Sequence, residues 1–262
     1  MRLLRKWRKY SYKALLIGLL ISCTPHPPHR GSPPLPTGIT PKECTADSLR
    51  YAIYQTAASY VYSVEVKIQS HYMRETRLGT SWQGKDGYLF TCSHVLPPSP
   101  LLYTIEVWSE EKTCREAQVL WRDSLEDVAI LRAEGLEEGG LALSAEADTP
   151  IGQTVYSVGA PWGLTGTLQE GYIAAPLRLQ LGRDSLTHPV LQLSLPAQPG
   201  SSGSPLLNTR GEVIGMIAEI ASLSGHYEGV AFAIPASRLH KVLERYRSFV
   251  AHEKKDSDTR DK

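Results

Sequence analysis

Ser202 lies between Gly200 and Gly203 in the run Gln198-Pro199-Gly200-Ser201-Ser202-Gly203-Ser204-Pro205, with the apolar pair Leu206-Leu207 beyond it. This pattern suits nucleophilic attack on a carbonyl. A glycine at 200 lets the chain turn tightly and leaves no Cβ in the way of a substrate. The amides of Gly200 and Ser202 can then point at one spot, where a tetrahedral intermediate would place its negative oxygen. Gly203 lets a substrate backbone approach the Ser202 hydroxyl. A hydroxyl is a poor nucleophile unless a base abuts it, so another segment must supply one. His94, at the end of Tyr88-Leu89-Phe90-Thr91-Cys92-Ser93, is the candidate base. An orienting acid would come from the cluster Asp123, Glu126 and Asp127, which chemistry alone does not rank.

These segments resemble the chymotrypsin-like serine peptidases, and most closely their HtrA/Deg branch. That branch reads Gly-Asn-Ser-Gly-Gly-Pro-Leu and then Gly-Glu-Val-Ile-Gly; Gly200 to Leu206 and Gly211 to Gly215 stand at the same spacing. Thr91-Cys92-Ser93-His94-Val95 resembles the branch's Thr-x-x-His-Val strand end. Asp127-Val128-Ala129-Ile130-Leu131 resembles its Asp-x-Ala-Val-Leu motif, and this frame picks Asp127 from the three acids. Gly159-Ala160-Pro161-Trp162-Gly163-Leu164 and Gly229-Val230-Ala231-Phe232-Ala233-Ile234-Pro235 have close counterparts too, so the likeness runs from roughly Thr56 to Glu244.

The resemblance implies an all-β peptidase domain over 46–250 with a C-terminal helix. Its two six-stranded antiparallel barrels would span about 56–142 and 150–235, with the site in the cleft between them. It implies that Ser202 attacks, that His94 takes and returns the proton, that Asp127 orients the imidazole, and that Gly200 and Ser202 form the oxyanion hole. No cofactor or metal is implied, and a homo-oligomer is compatible with it. Ala197, Val230, Ala231 and Phe232 would line the specificity pocket by the same likeness. None is charged, and burying an unpaired charge there would cost on the order of several kcal/mol. Cleavage after small or medium aliphatic residues of unfolded or extended protein is therefore expected. Glu219 is a nearby acid without an assigned place. Three positions depart from the branch: Ser201 stands for Asn, Ser204 for the second Gly, and Ala231 for Gly. Ser204 is shared with glutamate-specific peptidases of the same fold, but Met216-Ile217-Ala218 lacks the His that they use. A non-proteolytic binding or chaperone-like protein on this scaffold is the rival class, and retention of all three triad residues argues against it.

The elements that must position these residues are legible from periodicity. Ser48 to Tyr60 reads as a helical lead-in and Val61 to Gln69 as a strand. Leu78 to Trp82 and Tyr88 to Leu96 flank Gly84-Lys85-Asp86-Gly87, whose Asp-Gly step predicts a hairpin. Leu102 to Trp108 and Arg115 to Trp121 read as strands around Glu110-Glu111-Lys112, and Ala145 to Gly152 as a crossover between barrels. Leu239, Val242, Leu243, Tyr246 and Phe249 form a helical stripe within Arg238 to Phe249. A charged tail, 251–262, follows, and with so few residues after Pro235 no PDZ module is expected in this sequence.

The chain has 262 residues, 42% of them hydrophobic, and a formal net charge of +1. That is enough to bury a sizeable core, and the neutral balance gives no electrostatic reason to expect nucleic acid. Arg2, Arg5, Lys6, Arg8, Lys9 and Lys13 precede the short apolar run Ala14 to Ile21, which has the length of a signal-peptide core rather than of a membrane span. Leu20-Ile21-Ser22-Cys23 resembles the bacterial lipobox, so 1–22 is expected to be a lipoprotein signal peptide and Cys23 the lipidated residue that anchors the chain to a membrane. Thr24 stands where an Asp would favour inner-membrane retention. The expected location is the cell envelope, at the outer membrane if there are two, with protein quality control as the role. Residues 23–45 form a Pro-rich linker; His26 and His29 in it lack further ligands at metal-site spacing. With Cys23 lipidated, Cys44, Cys92 and Cys114 remain, an odd number. A Cys92–Cys114 pair and unpaired thiols are both open.

Overall fold

The Asp86-Gly87 turn does what its residues require. Gly87 takes φ 79°, and the turn joins Trp82 to Phe90 and Gln83 to Leu89 as antiparallel partners. Trp82 and Phe90 stack with ring centroids 4.6 Å apart, both buried. The computed structural model describes residues 46–69, 74–98, 101–146, 149–178, 189–220 and 229–260, with the side chains of 177–178, 219–220 and 256–260 excepted. The expected signal peptide and linker, with Cys23, His26 and His29, and also Cys44 lie outside the described residues. No described helix is long and apolar enough to cross a membrane.

Helix α1 (Ala46–Ala57) leads through a single 3-10 turn into β1 (Val61–Gln69). The first barrel continues with β2 (Arg74–Gln83), β3 (Leu89–Cys92), β4 (Tyr103–Trp108), β5 (Cys114–Asp123) and β6 (Val128–Ala133), closed in the order β1-β2-β3-β6-β5-β4. The second comprises β7 (Thr154–Gly159), β8 (Thr167–Arg178), β9 (Val190–Ser194), β10 (Pro205–Leu207), β11 (Val213–Ile220) and β12 (Ala231–Pro235), closed as β10-β11-β12-β9-β8-β7. Two six-stranded antiparallel barrels followed by helix α2 (Ala236–Arg260) are the expected architecture.

Alternation fixes which side chains face inward. Val64, Val66 and Ile68 of β1 are buried in a cluster that also takes in Val158, Leu207, Met216 and Ala218 of the second barrel, so apolar packing is continuous between barrels. A second cluster, with Val155, Ile173, Leu191, Leu193 and Leu206, fills the second barrel itself.

Three features differ from the sequence reading or resolve what it left open. His94 sits just past β3, in a single 3-10 turn over Ser93–Val95, ahead of Pro97 and Pro98, which cannot extend a ladder. Cys92 is buried in β3, Cys114 is exposed at the start of β5, and both are free thiols; β6 lies between those two strands. Helix α2 runs to Arg260, well past the stripe that ends at Phe249, because no Gly or Pro interrupts 236–260.

Helix α2 buries Leu239, Val242, Leu243 and Tyr246 and packs the Tyr246 ring edge-on to Tyr88 at 5.2 Å. It also ties down the loop between β5 and β6. Arg238 Nε donates to Glu126 Oε2 at 2.6 Å, with both side chains more than nine-tenths buried. Arg238 Nη2 donates to the Glu126 carbonyl at 3.2 Å, and Arg245 donates to Asp123 at 2.9 Å. Removing Arg238 takes the nearest cation from the buried Glu126 carboxylate and leaves Arg245 at 3.8 Å from Oε1. Arg238→Ala is therefore expected to lower stability by about 3–5 kcal/mol in equilibrium urea unfolding; a loss under about 1 kcal/mol would show that Glu126 is stabilised without it.

Candidate active site

Gly200 and Gly203 take φ 96° and 94°, values that L side chains rarely adopt. Space forbids a side chain at either one as well. A Cβ on Gly200 would lie 2.7 Å from the Ala160 carbonyl oxygen, and one on Gly203 would collide with the Thr80 carbonyl. Between them the loop is wound tightly: Ser201 N–H donates to Gln198 O at 2.9 Å and Ser204 N–H to Ser201 O at 3.0 Å. Ser201 Oγ accepts the Gln198 amide at 3.1 Å. Ser201 and Ser204 are buried, whereas Ser202 is half-buried. Among the described residues the N–H groups of Gly200 and Ser202 meet no acceptor, while the neighbouring carbonyls are committed. Pro199 O accepts from Trp162 N at 2.8 Å, Gly200 O from Thr80 Oγ1 at 2.7 Å, and Ser202 O from Thr80 N at 2.8 Å. Two uncommitted amides flanking a serine are what an oxyanion site needs.

His94 and Asp127 meet because β3 and β6 are partners, with Cys92 opposite Val128. The chain leaves β3 and enters β6 at that same end, and Ser93 N–H still donates to Asp127 O at 3.1 Å. Asp127 takes φ 55°, a left-handed conformation for which a short carboxylate is one of the better-suited side chains. From there both its oxygens reach His94: Oδ1 accepts the His94 backbone N–H at 2.9 Å, and Oδ2 lies 2.8 Å from Nδ1. An ionised carboxylate can only accept, so Nδ1 carries the proton in this pair, and in a neutral imidazole Nε2 is then the acceptor. The other two acids are engaged elsewhere. Asp123 Oδ1 accepts the amides of Leu125 and Glu126 at 3.1 and 3.0 Å, and Glu126 faces Arg238.

Arg122 braces the turn that carries His94. Its guanidinium donates to Ser93 Oγ at 2.9 Å, Pro97 O at 2.6 Å, Ser93 O at 3.0 Å and Leu96 O at 3.1 Å. The rigid fork of Arg suits such a set of convergent carbonyls. No sequence signal pointed to Arg122, since its acceptors are assembled only when β5 lies beside the turn.

The serine loop and the His94 turn are held together by shared neighbours. The Ile217 carbonyl accepts both Gly203 N–H at 2.7 Å and the Cys92 thiol at 3.4 Å. A Cβ on Gly79 would meet the Val95 side chain at 2.9 Å and Ser202 O at 3.3 Å. Ser202 Oγ itself donates to Ala218 O at 3.2 Å rather than to the imidazole. Ala218, like Thr80, was absent from the sequence reading as a site residue; both act through groups distant in sequence. Cys92, His94 and Asp127 each bring one ligand atom within 4.8 Å of the others. Burial first, and then the Asp127 charge, push the Cys92 thiol well above its ordinary pKa, and a protonated thiol is a poor metal ligand.

Of the four expected pocket residues, Val230 and Phe232 are half-buried, while Ala197 and Ala231 are sealed in the second barrel's core. Ala231 pairs with Leu193 and Ile220, and alternation turns its methyl inward with Ala233. The Ala231 methyl therefore packs in the core, contrary to the expectation that it lines the pocket. Glu219 pairs with Phe232 along the backbone; its side chain lies outside the described residues. Ser204, the second departure from the Gly-Gly pattern, presses its hydroxyl against Gly159, where a Cβ would collide with it.

Comparison with known proteins agrees with this geometry. The trypsin-like peptidase domain matches residues 79–216. A probable periplasmic serine endoprotease, DegP-like, from Halomonas elongata is 33% identical over 182 residues, 69% of this chain and 37% of that protein. One of the same description from Pseudomonas fluorescens is 35% identical over 150 residues, 57% of this chain and 30% of that protein. The chain thus spans about a third of the length of these relatives. Among solved structures, the HtrA-type protease AlgW with tripeptide superposes with a TM-score of 0.66 at 27% identity, covering 78% of this chain and 64% of that one. The chain belongs to the trypsin-like peptidase family, with DegP-like and HtrA-type serine proteases among its relatives.

Proposed function

We propose that the chain is a serine endopeptidase in which Ser202, His94 and Asp127 act as the triad. The observation that carries this reading is the two-point Asp127–His94 bond, 2.8 Å at Nδ1, beside a serine loop with two uncommitted amides. For catalysis the Ser202 hydroxyl must exchange Ala218 O, its acceptor at 3.2 Å, for His94 Nε2. The imidazole then takes the hydroxyl proton as Oγ bonds to the substrate carbonyl carbon, and the oxygen gains its charge facing the Gly200 and Ser202 amides. His94 returns the proton to the leaving amine, and the acyl-enzyme is hydrolysed by water in the reverse sequence. Asp127 fixes the tautomer and stabilises the imidazolium.

The substrates are unfolded or extended segments of envelope proteins, cut after small or medium aliphatic residues; the uncharged Val230 and Phe232 support that preference. Protein quality control is the accompanying role. Ser202→Ala is expected to reduce hydrolysis of casein on the order of 10⁴-fold or more, and Ser201→Ala to retain most activity because its hydroxyl only caps a turn. The reverse pattern would refute the assignment. Mass spectrometry of the wild-type fragments tests specificity, and a majority of cuts after Lys, Arg, Asp or Glu would contradict it.

The location we infer is the cell envelope, in keeping with relatives named as periplasmic, with a lipid at Cys23. The basic leader, short apolar core and lipobox-like Leu20-Ile21-Ser22-Cys23 support the anchor. A single acyl chain binds membranes only marginally, so stable attachment needs several. Cys23→Ser is expected to move the protein from the membrane to the soluble fraction with its specific activity intact. Wild-type protein that fractionates as soluble and shows no lipid in its intact mass would refute the anchor.

A further inference from the structure

The oxyanion turn pivots on Gly200, and a glycine at φ 96° is the residue about which peptide planes rotate most freely. In a trans peptide the carbonyl and the N–H point to opposite sides. The direction of the Gly200 N–H is therefore set by where the Pro199 carbonyl goes, and that carbonyl is held by Trp162 N at 2.8 Å. The next plane is held through the Gly200 carbonyl by Thr80 Oγ1 at 2.7 Å. The same hydroxyl accepts Ala160 N–H at 3.0 Å. Thr80 Oγ1 thus joins the Gly200 turn to the Ala160–Trp162 turn, so both planes around the pivot depend on it.

The rest of Thr80 is committed to the same place. Its amide donates to Ser202 O at 2.8 Å, and its carbonyl accepts Thr91 Oγ1 at 2.7 Å, three residues ahead of His94. Thr80 is fully buried, so no water can stand in for the hydroxyl without displacing packed atoms. The other arm of the clamp is strained. Trp162, a bulky residue, is held at φ 55° and ψ 21°, a conformation that persists only where its surroundings over-determine it. The bond from its amide to Pro199 O gives that strain a purpose.

We propose that Thr80 is a positioning residue for catalysis, its hydroxyl holding the oxyanion turn so that the Gly200 amide faces the reacting carbonyl. This rests on the peptidase reading above. Rotation of the Pro199–Gly200 plane, once it is no longer braced through the Gly200 carbonyl and the Ala160–Trp162 turn, would take the Gly200 donor from the developing oxyanion, a loss that costs about 10²–10³-fold in kcat elsewhere. Ground-state binding, made with other parts of the cleft, would be little affected.

The test uses Thr80→Val and Thr80→Ala, which lack the hydroxyl, and Thr80→Ser, which keeps it. Each is assayed by steady-state hydrolysis of fluorescein-labelled casein, normalised to the folded fraction from circular dichroism. The expected result is a fall of about 100-fold in kcat for the Val and Ala variants, with KM within about threefold of wild type. Thr80→Ser should stay within about threefold in both. Val and Ala variants with near-wild-type kcat, a loss confined to KM, or a Ser variant as impaired as the Val variant would overturn the proposal. Failure of both hydroxyl-less variants to fold would overturn it too, by giving Thr80 a purely structural role. If wild type and Ser202→Ala are equally inactive, the peptidase reading fails and this one with it; an active wild type with unimpaired Thr80 variants removes only the clamp.

Discussion

The proposed reacting groups belong to two different barrels, and buried hydrogen bonds cross between the segments that carry them. The Ile217 carbonyl takes one donor from each side, the Gly203 amide and the Cys92 thiol, and Thr80 of β2 holds Gly200 and Ser202. Each such bond contributes only about 0.5–1.5 kcal/mol to net stability. Their larger effect is on geometry, since a displacement of about 1 Å between reacting groups can cost on the order of 10²-fold in rate. The barrels could therefore remain folded while the site lost much of its chemistry.

Local order was legible in the sequence wherever it depends on neighbours along the chain. The hairpin at Asp86-Gly87 and the alternating run Val61–Gln69 follow from turn chemistry and from period-two patterning. The serine loop was legible for the same reason, because glycines at 200 and 203 serve a conformation that few other residues reach. The acid was a harder case. Asp123, Glu126 and Asp127 look equivalent on chemistry alone, and only the resemblance singled out Asp127; where β3 pairs with β6, Asp127 is the one bonded to the imidazole. Arg122 and Thr80 were not legible as site residues at all, because the partners that give them their place lie from 25 to 122 positions away. The pocket shows the limit of likeness without register: Ala231 occupies the expected segment, yet alternation places its methyl in the core.

The departures around the serine are accommodated in different ways. Ser201 replaces a longer amide and uses its hydroxyl to accept the Gln198 N–H, so it stiffens the turn from within. Ser204 adds a hydroxyl that is buried without a partner among the described residues, beside a Gly159 with no side chain to obstruct it. A lone buried hydroxyl is destabilising by about 1–3 kcal/mol unless an ordered water satisfies it. The absence of a Cβ at Gly159 is what makes room for that exchange.

The long helix at the end of the fold has a consequence for the order in which the molecule matures. Asp127 lies at the end of a loop whose neighbours Glu126 and Asp123 are gripped by Arg238 and Arg245, partners 112 and 122 residues further along the chain. Chains are made from the N-terminus, and domains tend to fold as they emerge. The first barrel's strands are all synthesised before either arginine exists. The acid of the His94 pair therefore acquires its last anchors only when helix α2 has been made and has docked. A nascent chain would carry all three residues of the proposed triad before it could hold them in register, so on that reading hydrolytic competence would come late in biogenesis.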